Sequence, residues 1–237
     1  MINYNVPVLL YHDVNNKSFQ NEFNIDDFEI QISYLKKNGY KSVHINEIDI
    51  KEKKQIILTF DDGYKNLIYN FLSILKKYDF KACCFIVSNN IGKYNDWDIN
   101  KKNYQKKELM SKTDINEWLN NGMLIGSHSN THKDLTDVSN NELKKELYDS
   151  KENLENSFSQ QIYDFCYPYG KINKEVYIEV KKIYKNAFTT NRSRYKYKKH
   201  NPILIPRVDM GKKISKFKIF LKLNTSYEDI KFVKNEF

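Results

Sequence analysis

Glycine and proline are scarce, at 7 and 4 in 237 residues. No Pro/Gly/Ser-rich stretch interrupts the chain, so no linker marks a domain boundary. Residues 1–237 read as one domain, with 223–237 as a surface tail or final helix. No internal repeat stands out. The three cysteines, Cys83, Cys84 and Cys166, cannot all pair. Cys83 and Cys84 are adjacent in the run Lys81-Ala82-Cys83-Cys84-Phe85-Ile86-Val87, where strand neighbours face opposite ways. They read as small buried hydrophobes. Cys166 has no nucleophile motif around it and reads as core packing too. Long apolar runs are missing, and none approaches the ~18 residues of a membrane span. The N-terminus has no basic segment followed by a long apolar one. No signal peptide is therefore evident, and the sequence as it stands points to the cytoplasm.

Positive charge is in excess: 39 Lys and Arg against 30 Asp and Glu leave a net +9. One reading is an anionic partner, such as nucleic acid, an anionic glycan or a membrane surface. The other is a lysine-rich solvated surface. Lysine is scattered and no nucleic-acid motif appears, which favours the second and argues against a nucleic-acid partner. The densest stretch, Arg192-Ser193-Arg194-Tyr195-Lys196-Tyr197-Lys198-Lys199, interleaves cations and aromatics and reads as an exposed loop.

Apolar runs and amphipathic segments alternate. Strands are expected at 6–11, 55–60, 81–87, 123–127, 162–167, 187–190 and 203–208. Helices are expected at about 25–38, 65–78, 106–120, 140–157, 173–185 and 214–222. Ser139 followed by Glu142 predicts a capping box at the start of the fourth helix. Strand–helix alternation implies a parallel sheet with helices outside. Seven strands predict an α/β fold of the incomplete or distorted (β/α) barrel type, with its chemistry at the C-terminal strand ends. The polar segment 88–105, which carries Trp97, is expected as a loop beside the cleft.

Four of these strands end in polar groups. Gln55-Ile56-Ile57-Leu58 runs into Thr59-Phe60-Asp61-Asp62-Gly63. Two adjacent ionised carboxylates repel each other and need compensation, which a cation supplies most simply. Gly122-Met123-Leu124-Ile125-Gly126-Ser127 runs into His128-Ser129-Asn130-Thr131-His132. Two His four apart meet one metal if the segment makes a helical turn. Asp62, His128 and His132 then form a two-His, one-carboxylate face with open positions, suited to zinc or another divalent first-row metal. Ser129 stands where the metalloprotease helix has Glu, so the base must come from elsewhere, and Asp61 is the candidate. Tyr163-Asp164-Phe165-Cys166-Tyr167-Pro168-Tyr169-Gly170 is a third such strand end, with Tyr169 on a turn. Val6-Pro7-Val8-Leu9-Leu10-Tyr11-His12 is the fourth.

The segments 59–63, 128–132 and 167–170 resemble, in order and spacing, the first three motifs of the NodB-homology polysaccharide deacetylases, carbohydrate esterase family four. The resemblance covers roughly residues 6–210. The Pro7–His12 and Leu204-Ile205-Pro206-Arg207-Val208 segments resemble a sub-branch that includes poly-N-acetylglucosamine deacetylases. It implies a distorted (β/α) barrel and assigns Asp61 as general base and Asp62, His128 and His132 as metal ligands. It makes Tyr169 the residue whose backbone N–H holds the oxyanion, and His12 the general acid. Zn2+ is the expected metal, with Co2+, Ni2+ or Mn2+ as alternatives. Two departures stand out. Cys166 replaces an Arg that orients the base in the common third motif, and no late Leu-x-His motif is present, His200 being the only late His. Arg207 is the expected replacement for the missing Arg, because it should emerge at the same rim as Asp61.

The function implied is metal-dependent removal of N-acetyl groups from amino sugars of a surface glycan or its precursor. Alternatives are an O-acetyl esterase acting on a polysaccharide and a non-catalytic carbohydrate-binding relic of the fold. Intact Asp61, Asp62, His128 and His132 favour the enzyme. The expected partner is a carbohydrate bearing N-acetyl groups, with membrane-surface contact a further reading of the basic charge.

Overall fold

The computed structural model describes residues 4–12, 24–102, 104–211 and 213–233. Residues 234–237 of the expected C-terminal tail lie outside this set. Seven strands form the centre: β1 Val8–Tyr11, β2 Gln55–Phe60, β3 Cys83–Ile86, β4 Leu124–Ser127, β5 Asp164–Cys166, β6 Asn186–Arg192 and β7 Ile205–Asp209. Each pairs in parallel with its sequence neighbour, and β7 pairs with β1, which closes the ring. The expected seven-strand α/β barrel is what forms. It is closed but irregular: β4 and β5 share one registered pair, and the β6–β7 register shifts between Ile205–Phe188 and Arg207–Arg192, with the extra residues on β6.

Helices α1 Ile25–Lys37, α2 Leu72–Tyr78, α3 Lys112–Asn120, α4 Asn140–Phe158 and α5 Lys174–Ile183 join successive strands from β1 to β6. No helix joins β6 to β7; α6, Lys216–Asn224, follows β7. The two-residue alternation of a strand divides the core in two. Val8, Ile57, Cys83, Phe85, Cys166, Phe188 and Ile205 pack together, with no helix residue among them, and fill the barrel. Leu9, Tyr11, Ile56, Leu58, Phe60, Cys84 and Ile86 pack outward against Phe28, Ile32, Phe71 and Trp118 of the helical layer. Cys83 therefore points in and Cys84 points out, and all three cysteines are buried and free. Gly126 makes room for the central Phe85: a Cβ there would lie 2.6 Å from the Phe85 ring and 2.8 Å from the Asp164 carbonyl.

The elements differ from expectation where local chemistry intervenes. The 6–11 strand breaks at Pro7, which has no N–H to give. Asn5–Val6 pairs instead with Tyr195–Lys196, antiparallel, while the Pro7 carbonyl accepts from Ile57. The helix expected from 106 starts only at Lys112. Ser111 and Asp114 form a reciprocal cap there, and Leu109 and Glu108 are extended, bridging to Tyr64 and Tyr94. The helix expected at 65–78 opens with a π-wound stretch, Leu67–Phe71. At α4, Ser139 accepts the Glu142 N–H, but the Glu142 carboxylate turns away to Lys133, so half of the predicted capping box forms. The segment 88–105 carries two 3-10 turns, Ser88–Asn90 and Asp96–Asp98.

The two arginines of the basic stretch are not free. Arg192 and Lys222 both hold the fully buried Glu228, and Arg194 holds Asp229. His200 accepts from the Lys196 N–H and stacks on Phe232, so it is packing rather than part of the site.

Asp164, on β5, is a buried carboxylate with no cation beside it among the described residues. Burial pushes it up from its usual 3.8 to about 6, against the one hydrogen bond that Asn186 donates. Its folded pKa lies above its unfolded one, so stability falls as pH rises from about 3.8 to about 6 and stays reduced above. Asp164→Asn is expected to raise unfolding free energy at pH 7.5 by roughly 1–3 kcal/mol, with no gain at pH 3.5. Urea unfolding at the two pH values measures this; equal shifts at both would contradict it.

Candidate active site

At the C-terminal end of β2 the chain turns through two left-handed residues, Asp62 and Gly63, both with φ 73°. Asp tolerates this conformation better than most side chains. The turn separates the two carboxylates. Asp61 continues the inward face of Ile57 and Thr59, while Asp62 swings toward the end of β4.

There Asp62 meets both expected histidines. Its Oδ1 lies 3.3 Å from His128 Nε2 and 3.3 Å from His132 Nε2, and the two Nε2 atoms are 3.2 Å apart. The segment is not the helical turn predicted from the spacing. Ser129 and His132 sit at φ 63° and 60°, and the loop folds back on itself. Serines support it: the Ser129 hydroxyl accepts the His132 N–H at 3.0 Å, and the Ser127 hydroxyl accepts the Ser129 N–H at 3.3 Å. His128 Nδ1 lies 2.8 Å from the Cys166 carbonyl, which only accepts. That nitrogen must carry the proton, which turns Nε2 toward Asp62. His132 is clasped by rings instead, stacked on Trp97 at 4.7 Å and met edge-on by Tyr169 at 4.6 Å.

Burial opposes charge on Asp62, yet the hydrogen bonds to His128 and His132 prevail and hold its carboxyl well below the usual range. Burial lowers the pKa of His132, which favours the neutral ring a ligand needs. A carboxylate oxygen and two imidazole nitrogens, converging within hydrogen-bond distance of one another, are the donor chemistry of a divalent first-row cation. These residues fit such an ion. A second cluster, Asp61, His128 and Cys166, is equally close-set but does not fit. Burial pushes the Cys166 thiol up, so it stays protonated, and Arg207 already holds both Asp61 oxygens.

Arg207 reaches Asp61 from β7 through two parallel hydrogen bonds, Nη1–Oδ1 at 2.7 Å and Nη2–Oδ2 at 2.8 Å. The guanidinium is fully buried; its Nε donates to the Thr189 carbonyl and its Nη1 to the Thr59 hydroxyl. The Cys166 sulfur fills the remaining gap, 3.1 Å from Arg207 Nη2 and 3.5 Å from Asp61 Oδ2. Burial alone would raise the Asp61 carboxyl, but the Arg207 charge and fork outweigh it and hold the group ionised. His12 stands at the rim, half exposed, with Nε2 3.7 Å from Asp61 Oδ2.

Tyr169 occupies a second left-handed turn, at φ 57°, followed by Gly170 at φ 68°. A Cβ at 170 would collide with the Thr190 side chain, so only glycine fits. No acceptor for the Tyr169 N–H occurs among the described residues. Its hydroxyl donates to Asp98 at 3.2 Å, and Lys101 lies over its ring.

Residues 49–187 match the polysaccharide deacetylase family. The chain belongs to it. Among relatives of this deacetylase-family chain is the Bacillus subtilis (strain 168) protein YxkH, which carries the name of a polysaccharide deacetylase. It is 28% identical over 179 residues, covering 72% of the chain and 58% of YxkH. The chain thus spans less than two thirds of that relative. Staphylococcus aureus poly-beta-1,6-N-acetyl-D-glucosamine N-deacetylase is 25% identical over 204 residues, covering 73% of the chain and 68% of the relative. Among solved structures, BC0361, a polysaccharide deacetylase from Bacillus cereus, superposes with a TM-score of 0.75 at 28% identity, over 92% of this chain and 68% of that one. The Streptococcus pyogenes deacetylase PplD shares the fold at 23% identity, with a TM-score of 0.80 over 94% of this chain and 100% of that one. Among the described residues no helix is long and apolar enough to cross a membrane.

Asp61, Asp62, His12, His128, His132, Tyr169 and Arg207 are thus gathered at one barrel mouth. Sequence reasoning missed the Trp97–His132 stack and the Asp98 contact, which depend on a loop path that no local pattern encodes. It also missed Glu146, whose only signal is a carboxylate on the buried face of α4, beside Leu143, Leu147 and Ser150.

Zinc added to chelator-stripped protein is expected to raise its melting temperature, because a ligand that binds only the folded state stabilises it. Asp62→Ala, His128→Ala and His132→Ala should each abolish most of that rise. A variant whose zinc-induced shift equals the parent's would remove that residue from the ligand set.

Proposed function

We propose that this chain hydrolyses N-acetyl groups of amino sugars in a glycan or its precursor. A divalent cation, zinc first, would be held by Asp62, His128 and His132. One observation carries the reading: an ionised carboxylate, Asp61, is locked by a buried Arg207 fork directly beside a three-donor cation set. The relatives named as poly-N-acetylglucosamine deacetylases support the substrate class. An acetamide is a weak electrophile with a poor leaving group, so the site must both activate water and protonate nitrogen. When bound, the cation supplies Lewis acidity, making water more acidic and drawing charge from the carbonyl oxygen.

The chain's own groups do the rest. Asp61 accepts the proton that water loses as its oxygen bonds to the acetyl carbon. Arg207 keeps Asp61 ionised and holds both its oxygens in one orientation. The Tyr169 backbone N–H, aimed by its left-handed turn, donates to the developing oxyanion. His12, at the open rim, gives a proton to the departing amine as the C–N bond breaks. Acetate and a free amino sugar leave. Trp97, Tyr169 and the Asp98–Lys101 pair wall the cleft beside His132.

Acetate release from N-acetylglucosamine oligomers, compared with acetylated xylan, tests the reading. Release from the amide substrate supports it, whereas release from the ester alone points to O-deacetylation. Asp61→Asn should retain zinc and lose turnover by about 10²- to 10⁴-fold. Loss of zinc in Asp61→Asn with retention in Asp62→Asn would reverse the two assignments. Arg207→Lys keeps the charge but not the fork, and should cut turnover at least ~10-fold with zinc content and folding preserved. A Lys variant of normal activity would sink the orienting role.

A further inference from the structure

Glu146 lies in the middle of α4, away from every strand-end motif, yet it is only 4% exposed. Its carboxylate accepts three donors from the histidine loop: the Asn130 N–H at 3.0 Å, the Thr131 N–H at 2.9 Å and the Thr131 hydroxyl. We propose that Glu146 is a positioning residue for the cation site, fixing the loop backbone so that His132 Nε2 faces Asp62 and His128. This rests on the reading of those three residues as a cation centre.

The two histidines are secured differently. His128 is held through its own ring, by the hydrogen bond from Nδ1 to the Cys166 carbonyl. His132 Nδ1 is buried and meets no acceptor among the described residues. Its ring therefore lacks the usual outer partner that orients a ligand histidine. What remains is backbone placement and the flanking rings of Trp97 and Tyr169. The backbone of this loop is costly to hold, because Ser129 and His132 are non-glycine residues in the left-handed region. Such a conformation persists only where its surroundings dictate it. Glu146 supplies that constraint midway between the histidines, with a charged acceptor that grips two consecutive N–H groups. The Ser127–Ser150 hydroxyl contact at 2.8 Å ties the same helix to the start of the loop. Glu146 thus fixes the backbone just ahead of His132, as the Cys166 carbonyl fixes the ring of His128.

Cobalt(II) is the probe, because its visible absorption reports ligand number and geometry without any substrate. Chelator-stripped parent, Glu146→Ala, Glu146→Gln, His132→Ala and the Glu146→Ala/His132→Ala double variant are titrated with it. Glu146→Ala is expected to bind cobalt about 10–100-fold more weakly and to show an altered visible band. Glu146→Gln, which keeps one acceptor oxygen, should fall between it and the parent. In the His132→Ala background, Glu146→Ala should cause no further loss, because its effect runs through His132. A Glu146→Ala affinity within twofold of the parent, with the same spectrum, overturns the proposal, as does an equal loss in the His132→Ala background. If Glu146→Ala does not fold, Glu146→Gln decides, and unchanged affinity there is equally fatal. A parent that takes up no cobalt overturns the cation reading itself. A parent that binds cobalt while the Glu146 variants match it overturns only the role of Glu146.

Discussion

The buried fork between Arg207 and Asp61 is the interaction on which site and barrel both depend. A carboxylate inside a barrel is expensive unless a partner and further hydrogen bonds satisfy it. Arg207 is such a partner, and it is itself satisfied by the Thr189 carbonyl and the Thr59 hydroxyl. The pair occupies the top of an interior otherwise filled by Phe85, Phe188, Cys83 and Ile205. Asp61 is consequently rigid, ionised and turned to the mouth. Asp62, one residue on, belongs to a different environment because two left-handed residues redirect the chain. Environment gives identical neighbours different chemistry.

Cys166 shows how the substitution at the third motif is accommodated. A second arginine at that position would compete with Arg207 for one carboxylate. A small neutral thiol instead donates toward Asp61 and accepts from the guanidinium, and its backbone carbonyl anchors His128. The charge that holds Asp61 comes from β7, at the same rim. Its position, two residues past the apolar Ile203-Leu204-Ile205 run, was readable in the sequence.

Strand ends were the legible part of this chain. An apolar run stopped by Asp-Asp-Gly, or by His-x3-His, locates a residue at a barrel mouth because strand period and burial leave few alternatives. The helices over 25–38, 140–157 and 173–185 were legible from their amphipathic spacing, and form within two residues of those bounds. The failures share a cause. Leu109 and Glu108 had helix-compatible pattern but are extended by partners at Tyr64 and Tyr94, and the histidine loop adopted left-handed turns that spacing does not encode. Glu146 and Asp98 were invisible, and Trp97 was placed beside the cleft without its His132 partner, because each matters through a neighbour distant in the chain.

The ring closes between its first and last strands, and no helix covers the step from β6 to β7. Two sheet edges, those of β1 and β6, therefore stay open until residues 205–209 have left the ribosome. The same strand brings Arg207, so an unfinished chain carries both unpaired backbone edges and a bare Asp61 in its interior. One strand therefore both seals the ring and neutralises the buried carboxylate.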